Sequence, residues 1–169
     1  SNSAPKATLQ AILDAYDLEG GDTVYVDTGT YASTSDVKVI WSRSGNQTAD
    51  VVIRGNTNDP YATQLVRLGQ TNYPAMGLDV KASRIRLTDF SISGVNRAIG
   101  LESNVGVRAS GLVLHDVGIG IQALGTRNTD IRNSGFWNAE MGISLSNTRT
   151  SILENLTFVN TSLAGIQLG

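Results

Sequence analysis

The chain has 169 residues, 13 of them basic and 15 acidic, giving a formal net charge of −2. That is one domain's length, enough to bury a substantial core. The near-neutral balance and a pI near 5.3 exclude the basic excess typical of nucleic-acid binders. No run approaches the ~20 apolar residues of a membrane span, so membrane insertion is not expected. Cysteine is absent and His115 is the single histidine, which excludes disulfide frameworks, thiolate nucleophiles and the usual zinc centres. With only 17% charged residues and abundant Gly, Ser, Thr and Asn, the composition suits a β-rich, turn-rich chain of the secreted or cell-surface kind.

In chain order, residues 1–6 read as a flexible N-terminus, and Ser1-Asn2-Ser3 resembles an expression scar. Residues 7–17 place Leu9, Ile12, Leu13 and Tyr16 at helical spacing, and Gly20-Gly21 stops the helix. Strands are expected over 22–31, with a turn at Asp27-Thr28-Gly29, and over 37–41 and 51–54. The stretches 42–50 and 55–63 are rich in turn formers and read as loops. Residues 22–76 therefore form irregular first coils.

From residue 77 the chain repeats. Gly77, Gly100, Gly120, Gly142 and Gly165 each precede a branched apolar residue: Leu78, Leu101, Ile121, Ile143 and Ile166. At a step of 22, Leu87, Ala109, Ile131 and Leu153 form one apolar column, and Ile92, Leu114, Phe136 and Phe158 another. Phe90, Leu112, Ser134 and Leu156 form a third, with one polar exception. Asp89, Gly111, Asn133 and Asn155 make a turn column. Each unit holds three short apolar segments that cannot bury their apolar side alone, whereas stacked units can. Asn and Asp repeated at a turn can hydrogen-bond along the stack. The helix over 7–17 then covers the open edge of the first coil.

These coils, together with the opening LQAILDAYDLEGGDTVYVDTGTY, resemble the right-handed parallel β-helix proteins of the pectate-lyase-like superfamily. The resemblance implies an all-β fold: a right-handed parallel β-helix of ~22-residue coils behind an N-terminal capping helix, one domain over 7–169 with regular coils from 77. Gly165 to Gly169 begin a further coil with no polar cap, so more C-terminal coils, or end-to-end self-association, are expected to cover that end.

Strand parity selects the candidate site residues. Leu78 and Leu101 point inward, so Asp79 and Glu102 point outward on adjacent coils. Such a pair suits calcium, an oxygen-seeking ion, or acid–base work; otherwise it is a solvated polar face. Arg86 and Arg108 point outward with Asp130 next in their column, and Arg84 and Arg132 lie nearby. Stacked guanidiniums suit the carboxylates of an acidic polysaccharide, or else pair with Asp130. Ser93, His115, Trp137 and Val159 form a third outward column, where Trp137 offers a stacking face for a sugar or packs under a loop. Asn128-Thr129-Asp130 matches the NTD tripeptide of polygalacturonases, but their Asp-Asp, Gly-His-Gly and Arg-Ile-Lys partners are absent.

The expected function is an extracellular module that binds a polysaccharide or cell-surface glycan without catalysis in this segment and without an obligatory cofactor. The alternatives are a polysaccharide lyase or glycoside hydrolase acting on acidic polysaccharide, and a purely structural assembly segment.

Overall fold

The computed structural model describes residues 8–68 and 75–169. The expected N-terminal segment 1–6, and residues 69–74 of the irregular stretch, lie outside the described residues.

Helix α1 (Leu9–Ala15) is shorter than the pattern over 7–17 suggests. Thr8 caps it, its hydroxyl accepting from the Ala11 N–H at 3.1 Å. Leu9 and Leu13 are buried, whereas Tyr16 lies outside the helix and is exposed. The helix covers a strand edge. Gln10 Oε1 accepts from the Lys38 N–H at 2.7 Å, a backbone donor on the first strand of its ladder. Arg43 Nε in turn donates to the Leu13 carbonyl at 2.9 Å, filling an acceptor that the helix end leaves free.

The strands are β1 (Thr23–Tyr25), β2 (Gly29–Ser33), β3 (Val37–Val39), β4 (Val51–Arg54), β5 (Thr63–Arg67), β6 (Met76–Val80), β7 (Ile85–Thr88), β8 (Ser91–Glu102), β9 (Arg108–Ser110), β10 (Val113–Leu124), β11 (Asp130–Ser146), β12 (Ile152–Val159) and β13 (Ala164–Leu168). They join one curled sheet, and their pairings are parallel. Three ladders run along the stack. The first takes β3, β6, the end of β8, the end of β10, the end of β11 and β13. The second takes β1, β4, β7, β9, the start of β11 and the start of β12. The third takes β2, β5, the start of β8, the start of β10, the middle of β11 and the end of β12. The protein is thus all-β, with one short helix, and consistent with a β-helix-like solenoid.

The apolar columns are its interior. Ile92, Leu114 and Phe136 are buried, and the Phe136 and Phe158 rings stack with centroids 5.0 Å apart. Small residues make room for them. A Cβ on Gly120 would meet the Phe136 ring at 2.5 Å, and one on Gly142 would meet the Phe158 ring at 2.3 Å.

Corners are made by residues in the left-handed region, where Gly and Asn fit best. The expected turn column is present: Asp89, Gly111, Asn133 and Asn155 have φ of 63°, 64°, 47° and 51°. Asn155 Nδ2 donates to Asn133 Oδ1 at 2.7 Å, so the amides form the anticipated ladder. A second ladder follows the third strand segment. Asn138 donates to Asp116 at 3.0 Å and Asn160 to Asn138 at 3.1 Å.

The register corrects one expectation. Leu78 pairs with Ile99, not Leu101, and Asp79 stands opposite Gly100. The column of inward small residues is Gly77, Ala98, Gly120, Gly142 and Gly165; Gly100 faces outward beneath Met76, whose Sδ would lie 2.5 Å from an added Cβ. The cause is that Ala98, not a glycine, takes the small inward place opposite Gly77, so matching Gly77 to Gly100 overshoots the register by two residues. The step itself is 21 residues because the corner from Val80 to Arg86 is one residue shorter than the corresponding run from Leu101 to Arg108.

Candidate functional site

That register separates Asp79 from Glu102. Asp79 pairs in register with Lys38 and Gly100, whereas Glu102 pairs with Leu124 and approaches Lys81 Nζ at 3.6 Å. The two carboxylates do not stand on neighbouring rungs of one column, so the shared calcium or acid–base pair expected of them is not assembled. Among the described residues, no three or more His, Asp and Glu side chains converge as a metal site.

The arginine column is present as anticipated. Arg86 pairs with Arg108, and Arg108 with Asp130. Two guanidiniums about one strand spacing apart, ~4.8 Å, repel each other unless an anion lies between them. Asp130 is not that anion, because it turns to Arg132 Nε at 2.6 Å, and Arg132 reaches on to Glu154. Asp50, delivered by the loop before β4, takes the role instead. Its Oδ2 accepts from Arg86 Nη2 at 3.5 Å and also from Arg108 Nη1. The Asp50 side chain is only 7% exposed, against 44% and 42% for the two arginines. Asp50 thus holds both guanidiniums from below and leaves their outer edges free.

A cavity of about 470 Å³ lies along the corner after the third strand segment, and one of about 360 Å³ lies over this arginine pair. The arginine cavity is lined by Thr48, Asp50, Val52, Arg84, Arg86 and Arg108. Arg84 makes no ion pair among the described residues. The lining thus holds three guanidiniums and one carboxylate, which pairs with two of them, and the cavity keeps a positive excess suited to a planar anion.

The third outward column also stands as expected: Ser93, His115, Trp137 and Val159 are register neighbours. The loop expected over 55–63 completes it. Asp59 caps a short 3-10 turn at Pro60–Ala62, and that turn sets Tyr61 over the column. The Tyr61 ring centroid lies 5.8 Å from that of His115 and 6.5 Å from that of Trp137, tilted against both.

His115 is held from its other side. Its Nδ1 meets Asp116 Oδ2 at 2.7 Å. A carboxylate only accepts, so Nδ1 carries a proton and donates. Nε2 is buried and has no hydrogen-bond partner among the described residues. The Asp116 carboxyl is held below its ordinary range, first by the His115 hydrogen bond and then by that from Asn138.

The indole lies along its own strand, and a Cβ on Gly135 would sit 1.7 Å from it. It walls a cleft of about 250 Å³ between Pro60 and the corner amides of Asn133 and Asn155. Strand parity found His115, Trp137, Arg86 and Arg108. Nothing periodic marks Asp50 or Tyr61, which come from the loops.

No family model matches the chain, and no curated protein matches it. Solved structures do. An alginate lyase from Paenibacillus sp. str. FPU-7 superposes with a TM-score of 0.74 at 20% identity, covering 93% of this chain and 65% of that one. A rhamnogalacturonan lyase gives 0.58 at 15% identity, over 95% and 53%. A mannuronic-acid-specific polysaccharide family 6 lyase from human gut microbiota gives 0.51 at 11% identity, over 89% and 56%. This chain spans 65% or less of each. At these identities the likeness is one of fold: a curled parallel sheet shared with polysaccharide lyases.

Proposed function

We propose that this chain is the right-handed parallel β-helix of a carbohydrate-active protein of polysaccharide-lyase type, acting outside the cell on an acidic polysaccharide. The handedness follows the rule for parallel crossovers. The observation that carries the substrate class is the Asp50-bridged pair Arg86 and Arg108, with Arg84 beside it in no ion pair among the described residues. A uronate carboxylate seated there gains forked, charge-assisted hydrogen bonds. Neutralising that carboxylate also acidifies the adjacent C–H bond, the requirement of β-elimination.

A second reading is binding without turnover in this segment. It is favoured by the cavity's lining, in which the one carboxylate, Asp50, is already engaged by two guanidiniums.

One experiment separates the readings. The protein is run in gels cast with alginate, polygalacturonate, rhamnogalacturonan and a neutral glucan, and each polymer is assayed for unsaturated uronate by ultraviolet absorbance, with and without calcium. Retention on an acidic polymer with product supports the lyase reading. Retention without product supports the binding reading. If no acidic polymer retains the protein, or if an Arg86→Gln, Arg108→Gln variant is retained equally, the proposal fails and a structural role takes its place.

A further inference from the structure

The cleft beside Trp137 lies on a different ladder from the arginine cavity and shares no residue with it. Its wall is the Trp137 indole, its far edge Pro60, and its rim the amides of Asn133 and Asn155. No ionised side chain lines it.

Three features make it a built surface. The indole packs against the Tyr61 ring, which also meets His115, and Asp116 holds His115 in turn. Gly135 is the one residue type that lets the indole lie flat along its strand, since any Cβ there would meet the ring at 1.7 Å. The corner ladder uses half of each amide. Asn155 Nδ2 donates to Asn133 Oδ1, which leaves Asn155 Oδ1 as an acceptor and Asn133 Nδ2 as a donor, both on exposed residues.

A flat aromatic face beside one amide donor and one amide acceptor is the chemistry that recognises a pyranose. The ring's C–H face lies on the indole, and two neighbouring hydroxyls exchange hydrogen bonds with the amides. We propose that this cleft is a second saccharide subsite, which binds a pyranose unit of a polysaccharide through uncharged contacts. The corner repeats along the solenoid axis through Gly111, Asn133 and Asn155, so a polymer running along that axis meets one corner residue per coil. The site extends the polysaccharide reading to another face and needs none of the arginines. Binding at the arginine face weakens with salt, whereas binding here does not.

The test uses the whole chain carrying Trp41→Phe, so that Trp137 is the one remaining indole of the two in the sequence. Its emission is titrated at high salt with a mannuronate tetrasaccharide and with a neutral β-glucan tetrasaccharide, and affinities are measured by calorimetry. A saturable emission change is expected with at least one of them. Trp137→Leu should weaken that affinity about tenfold or more. Asn155→Gly, which keeps the left-handed corner, should weaken it about two- to tenfold. Gly135→Ala displaces the indole without removing it, and should shift the emission of the free protein and lose the titration while circular dichroism stays unchanged.

No saturable change with either saccharide overturns the subsite. So does an affinity that Trp137→Leu and Gly135→Ala leave intact. Gel retention that persists in Trp137→Leu and vanishes in Arg86→Gln, Arg108→Gln would sink this subsite and leave the arginine face standing.

Discussion

Between Ile85 and Val159 the strands of successive coils stack in constant register and turn at left-handed corners spaced 22 residues apart, such as Asp116, Asn138 and Asn160. Between Thr23 and Arg67 the strands belong to the same sheet, but short 3-10 turns and unequal loops join them. The two regions divide the labour. Regular coils supply flat columns of side chains: Arg86 with Arg108, and His115 with Trp137. Irregular coils supply one residue to each column, Asp50 to the first and Tyr61 to the second. Repetition builds platforms, and a site forms where a loop lands on one.

The largest expected effect tests the platform. Phe136 is fully buried and stacks on Phe158, so Phe136→Ala opens a cavity in a column with little freedom to collapse. The expected cost is about 3–5 kcal/mol in denaturant unfolding. A cost below about 1 kcal/mol would show that the columns do not carry the stability assigned to them.

Next come the corners. Asn133 has φ of 47° and accepts from Asn155. Asn133→Ala loses both the ladder bond and a residue tolerant of that backbone, at a cost of about 1–2 kcal/mol. Asn133→Gly restores the backbone and should recover most of the loss. Equal destabilisation by Ala and Gly would place the effect in the amide ladder instead of the backbone.

How much of this was legible in the sequence follows the same division. Column periodicity predicts the interior, the corner at Asp89, Gly111, Asn133 and Asn155, and the outward neighbours His115 and Trp137, because each rests on a local period that stacking preserves. Periodicity misleads at Gly100, because Ala98, two residues earlier, holds the structural place opposite Gly77. It is silent on Asp50 and Tyr61. Their partners lie 58 residues away at Arg108 and in the coils of His115 and Trp137, and loop geometry alone brings them together. The pairing of Arg108 with Asp130 looked natural by register; the closer Arg132 takes Asp130 instead.

Asp50→Asn tests the contribution of a loop directly. Asp50 is nearly enclosed, yet its arginine partners remain about two-fifths exposed, so solvent screens much of the pairing. The expected loss of stability is about 1–2 kcal/mol, below the cost of breaking a fully buried pair. Retention on acidic polymer should persist or increase, because the cavity loses its internal anion. Lost retention at unchanged stability would mean that Asp50 holds the guanidiniums in a geometry the ligand needs, and the loop would then rank above the platform.

The smallest effect belongs to a carboxylate that the regular coils make for themselves. Asp116 accepts from His115 and from Asn138, and these hydrogen bonds hold its carboxyl below the ordinary value of 3.8. Its folded value lies below its unfolded one. Its contribution to stability is therefore complete above 3.8 and is lost as pH falls through the lower folded value. Asp116 is exposed, so after screening that contribution is no more than about 0.5 kcal/mol. Unfolding midpoints measured from neutral pH into acid should fall less steeply below 3.8 for Asp116→Asn than for the wild type. At neutral pH the two should lie close together, because Asn can still accept from Asn138. A large neutral-pH loss would instead tie Asp116 to the seating of His115 and Trp137. A corner residue of the regular coils would then do for the aromatic cleft what Asp50, a loop residue, does for the arginines.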